Sequence, residues 1–157
     1  MRKTKLVRSL LPHKSGIRAK VGFKGEQLAI RHLEQKGYFV WKTNWTCRRG
    51  ELDIVAYRGH ELIFAEVKSA SFFELNSFDP LDHLDELKQH KLRRLAERFV
   101  QNHAVEIKAR RLWSIRIDAI RVICGRRRSA PCIEHLEDYV AFEEQNAIKS
   151  GSLSANF

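Results

Sequence analysis

Cysteine is scarce in this chain. Cys47, Cys124 and Cys132 are the only three in 157 residues, and no two form a Cys-x-x-Cys pair. That leaves neither a disulfide framework nor a structural zinc site, and a reducing compartment, the cytoplasm, is the expected setting. No apolar run approaches the roughly 20 residues that a membrane helix requires, so no membrane partner is expected. Leu10-Leu11, closed off by Pro12, is too short for the core of a signal peptide. There is no Gly-rich phosphate loop and no nucleophilic Ser-His set, and the seven histidines have no paired ligand spacing. Acidic residues are missing up to Lys24, a stretch that carries eight Lys or Arg. An organellar transit peptide has a similar look. The preferred reading is a disordered basic arm over residues 1–20 that could lie along a phosphate backbone.

What the chain does have is positive charge and enough apolar content for one core. The net charge is +10, the pI is near 9.9, and 43% of residues are hydrophobic. One domain over residues 21–145 with a disordered tail over 146–157 fits this length. An anionic partner is expected, and nucleic acid is the commonest one.

The periodicity predicts a helix from about Gly22 to Gln35, stopped by Gly37, with Glu26, Ala29, Ile30 and Leu33 on its inward stripe. Tyr38 to Trp41 reads as strand, Asn44 to Gly50 as a loop bearing Arg48-Arg49, and Glu51 to Tyr57 as a second strand. Gly59-His60 turns that strand into a third, Glu61 to Lys68, apolar on both faces and antiparallel to the second. An acidic linker over 69–86 leads to a helix over Leu81 to His103, with Leu84, Leu87, Lys88, Lys91, Leu92, Leu95, Ala96 and Phe99 on its inward side. A strand over Leu112 to Ile123, an Arg126-Arg127-Arg128 turn, a short strand over Ile133 to Leu136 and a helix over Glu137 to Gln145 complete the chain. The succession describes an α/β or α+β domain around one mixed sheet, and α/β is the expected fold class. Trp41, Trp45 and Trp113 read as core, Arg116 and Asp118 as a structural ion pair, and His135 as structural.

An acid on one strand and Glu-x-Lys at the end of its neighbour bring two carboxylates and an ammonium together. Asp53 and Glu66 could hold a hard divalent cation, Mg2+ or Mn2+, because two carboxylates about 4 Å apart otherwise repel by roughly 4 kcal/mol. Lys68, two residues from Glu66 on a strand, shares its face and could steady a water or an anionic transition state; a buried Glu66–Lys68 ion pair with Asp53 at a strand end is the plainer alternative. Glu26, falling on the apolar stripe of its helix, could hold a second water or metal; a partly exposed glutamate near the first turn is the plainer alternative. Arg48, Arg49, Lys88 and Lys91 are candidates for a phosphate track; a solvated helix face explains Lys88 and Lys91 as well.

The strings Gly22-Phe23-Lys24-Gly25-Glu26, Gly37-Tyr38, Arg49-Gly50-Glu51-Leu52-Asp53-Ile54-Val55-Ala56, Phe64-Ala65-Glu66-Val67-Lys68, Ile117-Asp118-Ala119-Ile120 and Ile133-Glu134-His135-Leu136 occur in order. With Ala29, Leu33 and the Lys88 to Phe99 helix, they resemble the YraN-type family of bacterial proteins over about residues 22–142. That family is similar to archaeal Holliday-junction resolvases. The resemblance implies a single restriction-endonuclease-like domain of the PD-(D/E)xK fold, a central mixed β-sheet flanked by helices. It also implies Glu26, Asp53, Glu66 and Lys68 as the catalytic constellation and DNA, structured or branched, as substrate. The chain departs from the family where an arginine often follows the Glu-x-Lys lysine: Ser69-Ala70 stand there, and the segment to Lys88 is longer and more acidic.

Three functions compete on these grounds: a magnesium-dependent endonuclease, a nuclease fold that only grips nucleic acid, and an adaptor using the acidic 72–86 segment. A homodimer, whose symmetry would suit a four-way junction, is left open.

Overall fold

Five strands in the order β1-β2-β3-β4-β5 form one sheet, with helices against both faces, in a computed structural model that describes residues 16–72, 79–125 and 129–141. Helix α1 spans Ile17–Gln35, β1 Phe39–Cys47, β2 Gly50–Arg58 and β3 Glu61–Ser71. A 3-10 turn over Pro80–His83 precedes α2 (Glu86–Asn102) and α3 (Ala104–Ala109); β4 (Ser114–Cys124) and β5 (Cys132–Val140) follow. Only β3 and β4 run parallel; the other neighbours are antiparallel. This mixed α/β sheet is the expected fold class and accords with a restriction-endonuclease-like architecture.

Alternation along β3 divides the core. Leu62 and Phe64 face α2 and pack with Leu92, Leu95, Phe99 and Ile117. Ile63 and Ala65 face α1 and pack with Ala29, Leu33, Ile120 and Val122. The strand is buried on both sides as its composition requires. Helix α1 ends where Gly37 takes φ +84, a conformation that costs a glycine little. Gly25 brings α1 close to the sheet: a Cβ there would lie 2.4 Å from the Ser69 Cβ. At α2, the Asp85 carboxylate accepts a 2.8 Å bond from the Lys88 N–H and fixes the first turn.

Several elements differ from the sequence reading. Helix α1 begins at Ile17, so Ile17 to Lys20 are helical rather than part of an arm. Strand β1 runs on through Asn44–Cys47, leaving only Arg48-Arg49 as the turn to β2. Leu81 belongs to the 3-10 turn, not to α2, and Leu87 is 81% exposed because on α2 it points well away from the stripe of Leu92, Leu95, Ala96 and Phe99. Helix α3 was not expected; its Ile107 joins the α2-side core. Glu137–Val140 extend β5 instead of opening a helix, since Val140 pairs with Ile117 and is buried. Trp41 and Trp45 pack edge-on against Phe99 at 5.3 Å, but Trp113 is 63% exposed and stacked on His60. The basic arm up to residue 15, linker residues 73–78, the Arg126-Arg127-Arg128 turn, the rest of the last helix (142–145) and the tail lie outside the described residues. Among the described residues no helix is long and apolar enough to cross a membrane.

Candidate active site

Strands β2 and β3 pair from Arg58↔Glu61 to Ile54↔Ala65 and then part. The next positions on each strand are Asp53 and Glu66. Beyond them β2 stays with β1 to Cys47↔Gly50, while β3 stays with β4 to Ser71↔Cys124. Asp53 fills the gap with its side chain: its Oδ2 accepts a 2.8 Å bond from the Val67 N–H and stands in for the lost ladder acceptor. A carboxylate is thereby fixed at the mouth of the fork.

Glu66 is 4% exposed, and its Oε1 accepts from Lys68 Nζ at 2.8 Å and lies 3.0 Å from Lys88 Nζ. Two ammoniums offset one buried carboxylate, one from the same strand and one from α2 across the sheet face. Asp53 has the opposite balance. Burial, then the Glu66 charge, and to a smaller degree Glu26, push its carboxyl from 3.8 up to about 7 against the pull of the Val67 N–H and Lys68. Glu26 is half-buried on α1, and its Oε2 accepts from Asn44 Nδ2 at 3.3 Å. Its carboxyl is also raised, first by burial, opposed by the Asn44 bond and assisted by the Glu51 charge. Asn44 has φ +50 and lies between the Thr43↔Ile54 and Trp45↔Leu52 pairs, across from Asp53. Asparagine tolerates that left-handed conformation.

Of the eight residues singled out from the sequence, Glu66, Lys68 and Lys88 are in direct contact, and Asp53 and Glu26 lie within reach of each other's charge. Arg48 and Arg49 stand exposed at the β1–β2 turn. Lys91 is exposed and drapes over Gly50, whose added Cβ would meet its Cε at 2.7 Å. The contact of Lys88 with Glu66 and the hold of Asn44 on Glu26 were not foreseen. The first carries one legible signal, a lysine on the inward side of α2; the second is hidden in a sequence where Asn44 reads as loop.

Among the described residues no three His, Cys, Asp or Glu groups gather closely enough to enclose an ion. The donors on hand are the oxygens of Asp53 and Glu66. Such a pair suits a hard cation that keeps most of its own waters. The raised Asp53 carboxyl fits this, since the site resists a second negative charge and a divalent cation would remove that resistance.

A separate polar cluster lies on the α1 face of the sheet, at β4 and β5. Arg116 grips Asp118 through Nε at 2.7 Å and Nη2 at 3.0 Å, and the His135 ring lies 2.7 Å from the Asp118 carboxylate. Lys36 Nζ lies 3.2 Å from the other ring nitrogen. These buried partners tie β4 to β5, the structural role the sequence suggested for Asp118 and His135.

A family model described as uncharacterised protein family UPF0102 matches residues 25–122, a span that contains Glu26, Asp53, Glu66, Lys68 and Lys88. A UPF0102 protein of Nocardioides sp. is 34% identical over 122 residues, 78% of this chain and 92% of the relative. One from Streptomyces griseus is 39% identical over 120 residues, 75% of this chain and 93% of its own length. One from Porphyromonas gingivalis is 33% identical over 117 residues, 74% and 81% of the two chains. With the model covering most of the domain and relatives of this similarity matched over most of their length, the chain belongs to the uncharacterised protein family UPF0102.

Proposed function

We propose that this protein is a divalent-metal-dependent endonuclease that hydrolyses phosphodiester bonds of DNA, structured or branched. The observation that carries the reading is the convergence of Asp53, Glu66 and Lys68 where β2 leaves β3, with Lys88 reaching the same carboxylate. Water adds to phosphorus and the P–O ester bond breaks, leaving a phosphate monoester and a free hydroxyl. Mg2+ or Mn2+, held by Asp53 and Glu66, would supply Lewis acidity and a more acidic water. Lys68, partly exposed beside Glu66, places its ammonium where the transition state gathers negative charge. Lys88 shields Glu66 from the opposite side, and Asp53 gives up its proton near neutral pH. The +10 net charge favours binding of the polyanion.

Purified protein should nick branched DNA with Mg2+ or Mn2+ and not in EDTA, and Glu66→Ala should abolish nicking while circular dichroism stays unchanged. Nicking that survives loss of both Asp53 and Glu66 rejects the assignment. One observation favours a second reading, a nuclease fold that binds nucleic acid without cutting it: Glu66 Oε1 is already shared by two lysines. Metal-independent, salt-sensitive binding with no cleavage of junction, flap, single-stranded or duplex DNA would select it.

A further inference from the structure

Strand β4 lies parallel to β3 in a register that sets Lys68 against Arg121. Phe64 and its partner Ile117 share the α2-side core, while Val67 and its partner Ile120 join the α1 side. Period two therefore sends Lys68 and Arg121 to one face, the face α2 covers and from which Lys88 reaches Glu66. Three cations, Lys68, Lys88 and Arg121, stand together there.

Arg121 does not point freely into solvent. Its Nη1 is held by Asp79 and its Nη2 by Glu134 of β5, with the side chain still 29% exposed. The two carboxylates differ in how they arrive. Glu134 is opposite Arg121 in the β4–β5 register and belongs to the sheet. Asp79 comes from the segment after β3 and caps the 3-10 turn, one oxygen accepting from the Leu81 N–H at 2.9 Å while the other faces Arg121. Leu81 and Leu84 anchor that turn to the α2-side core, so the Asp79 carboxylate is delivered onto the cationic row by packing. A guanidinium fork donates to carboxylate and phosphate oxygens in the same geometry.

Building on the nucleic-acid reading above, we propose that Arg121 is a substrate-positioning residue that grips a backbone phosphate of DNA beside Lys68, and that Asp79 occupies that phosphate's place in the free protein. Glu134 keeps the guanidinium plane aimed. Substrate binding then exchanges one anion for another at Arg121, and the Asp79 charge sets a threshold that non-specific polyanions must overcome.

The test is binding of full-length protein to fluorescein-labelled four-way junction and duplex DNA in EDTA across a KCl series, with cleavage in Mg2+ measured in parallel. Asp79→Asn keeps a capping side chain and removes the competing charge; it should lower Kd about threefold or more. Arg121→Ala should raise Kd about tenfold and reduce the salt slope by about one. Arg121→Lys should restore the slope but only part of the affinity. The opposite signs are the signature, because a merely structural contact would move both variants the same way. Wild-type Kd and slope in Arg121→Ala, or unchanged or weakened binding in Asp79→Asn, overturn the proposal while leaving the nuclease reading intact. Absence of DNA binding by the wild type overturns both. If Arg121→Ala fails to fold, Asp79→Asn decides: tighter binding supports the exchange, and unchanged or weaker binding ends it.

Discussion

Asp53→Asn should stabilise the metal-free protein at pH 8 and do almost nothing near pH 4. In the native state the Asp53 carboxyl is pushed from 3.8 to about 7, chiefly by burial and then by the Glu66 charge. Between those values the native chain holds a proton that the unfolded chain has released. Stability contributed by this group is therefore whole below about pH 4 and drains away as pH rises toward 7. At about 1.4 kcal/mol per unit, the full shift corresponds to roughly 4 kcal/mol. Relaxation and partial exposure of the side chain reduce that to about 2 kcal/mol. Asparagine retains an oxygen for the Val67 N–H and carries no charge toward Glu66. Urea unfolding in EDTA, followed by tryptophan fluorescence at pH 4, 6 and 8, should show the variant's advantage growing with pH. A variant less stable than wild type at pH 8, or an advantage that does not change with pH, refutes the reasoning. Saturating Mg2+ at pH 8 should recover the loss in the wild type, by about 3 kcal/mol at a hundredfold excess over Kd, and leave Asp53→Asn unmoved.

Gly25→Ala drives a methyl to 2.4 Å from the Ser69 Cβ and 2.7 Å from its Oγ. It should lower stability by about 1–3 kcal/mol, and Ser69→Gly in the same chain should recover most of the Tm. Arg116→Ala strips the buried Asp118 of its cation and should cost about 3–5 kcal/mol at pH 7 by chemical denaturation. Burial raises the Asp118 carboxyl, but His135, Arg116 and the Asp138 N–H outweigh it and hold the group below 3.8. Its contribution is therefore present above pH 3.8 and lost below as the native carboxylate protonates, and the variant should show a flatter stability profile on that acid limb. Lys88→Gln removes one of two ammoniums from Glu66 and should tighten Mg2+ binding while weakening DNA binding, a divergence readable by metal-induced Tm shift and by anisotropy.

Most of the fold was legible because the strands announce themselves: β2 and β3 are dense in β-branched and apolar residues, and Gly59-His60 punctuates them. The failures cluster where local signals conflict with tertiary contacts. Asn44 reads as a turn residue, and it does adopt a turn conformation, yet β1 continues around it because Trp45 pairs with Leu52 and packs on Phe99. Leu84 and Leu87 share a stripe only in a helix continuous from Leu81; the Asp79 and Asp85 caps split that segment in two, and Leu87 is left off the buried face of α2. Glu137–Val140 look helical by composition, but pairing of Val140 with Ile117 makes them strand. Glu26, Asp53, Glu66 and Lys68 could be nominated as a group from spacing and resemblance. The parting of β2 from β3, which sets their separation, could not, since register is a property of two strands and neither encodes it alone.

That parting also explains why charge is tolerated at the centre of a buried sheet. A continuous β2–β3 ladder at residues 53 and 66 would set two carboxylates side by side in a low-dielectric layer, where each raises the cost of ionising the other. Ending the ladder at Ile54↔Ala65 lets Asp53 bond the Val67 N–H and leaves room for Lys68 and Lys88 to reach Glu66. Lys88 sits in the first turn of α2, where the helix dipole disfavours a cation. Alanine or glutamate would suit that helix better, so the lysine is explained by its ion pair with Glu66 and not by α2 itself. Local helix stability is given up there for the ion pair that offsets the buried Glu66 carboxylate at the fork.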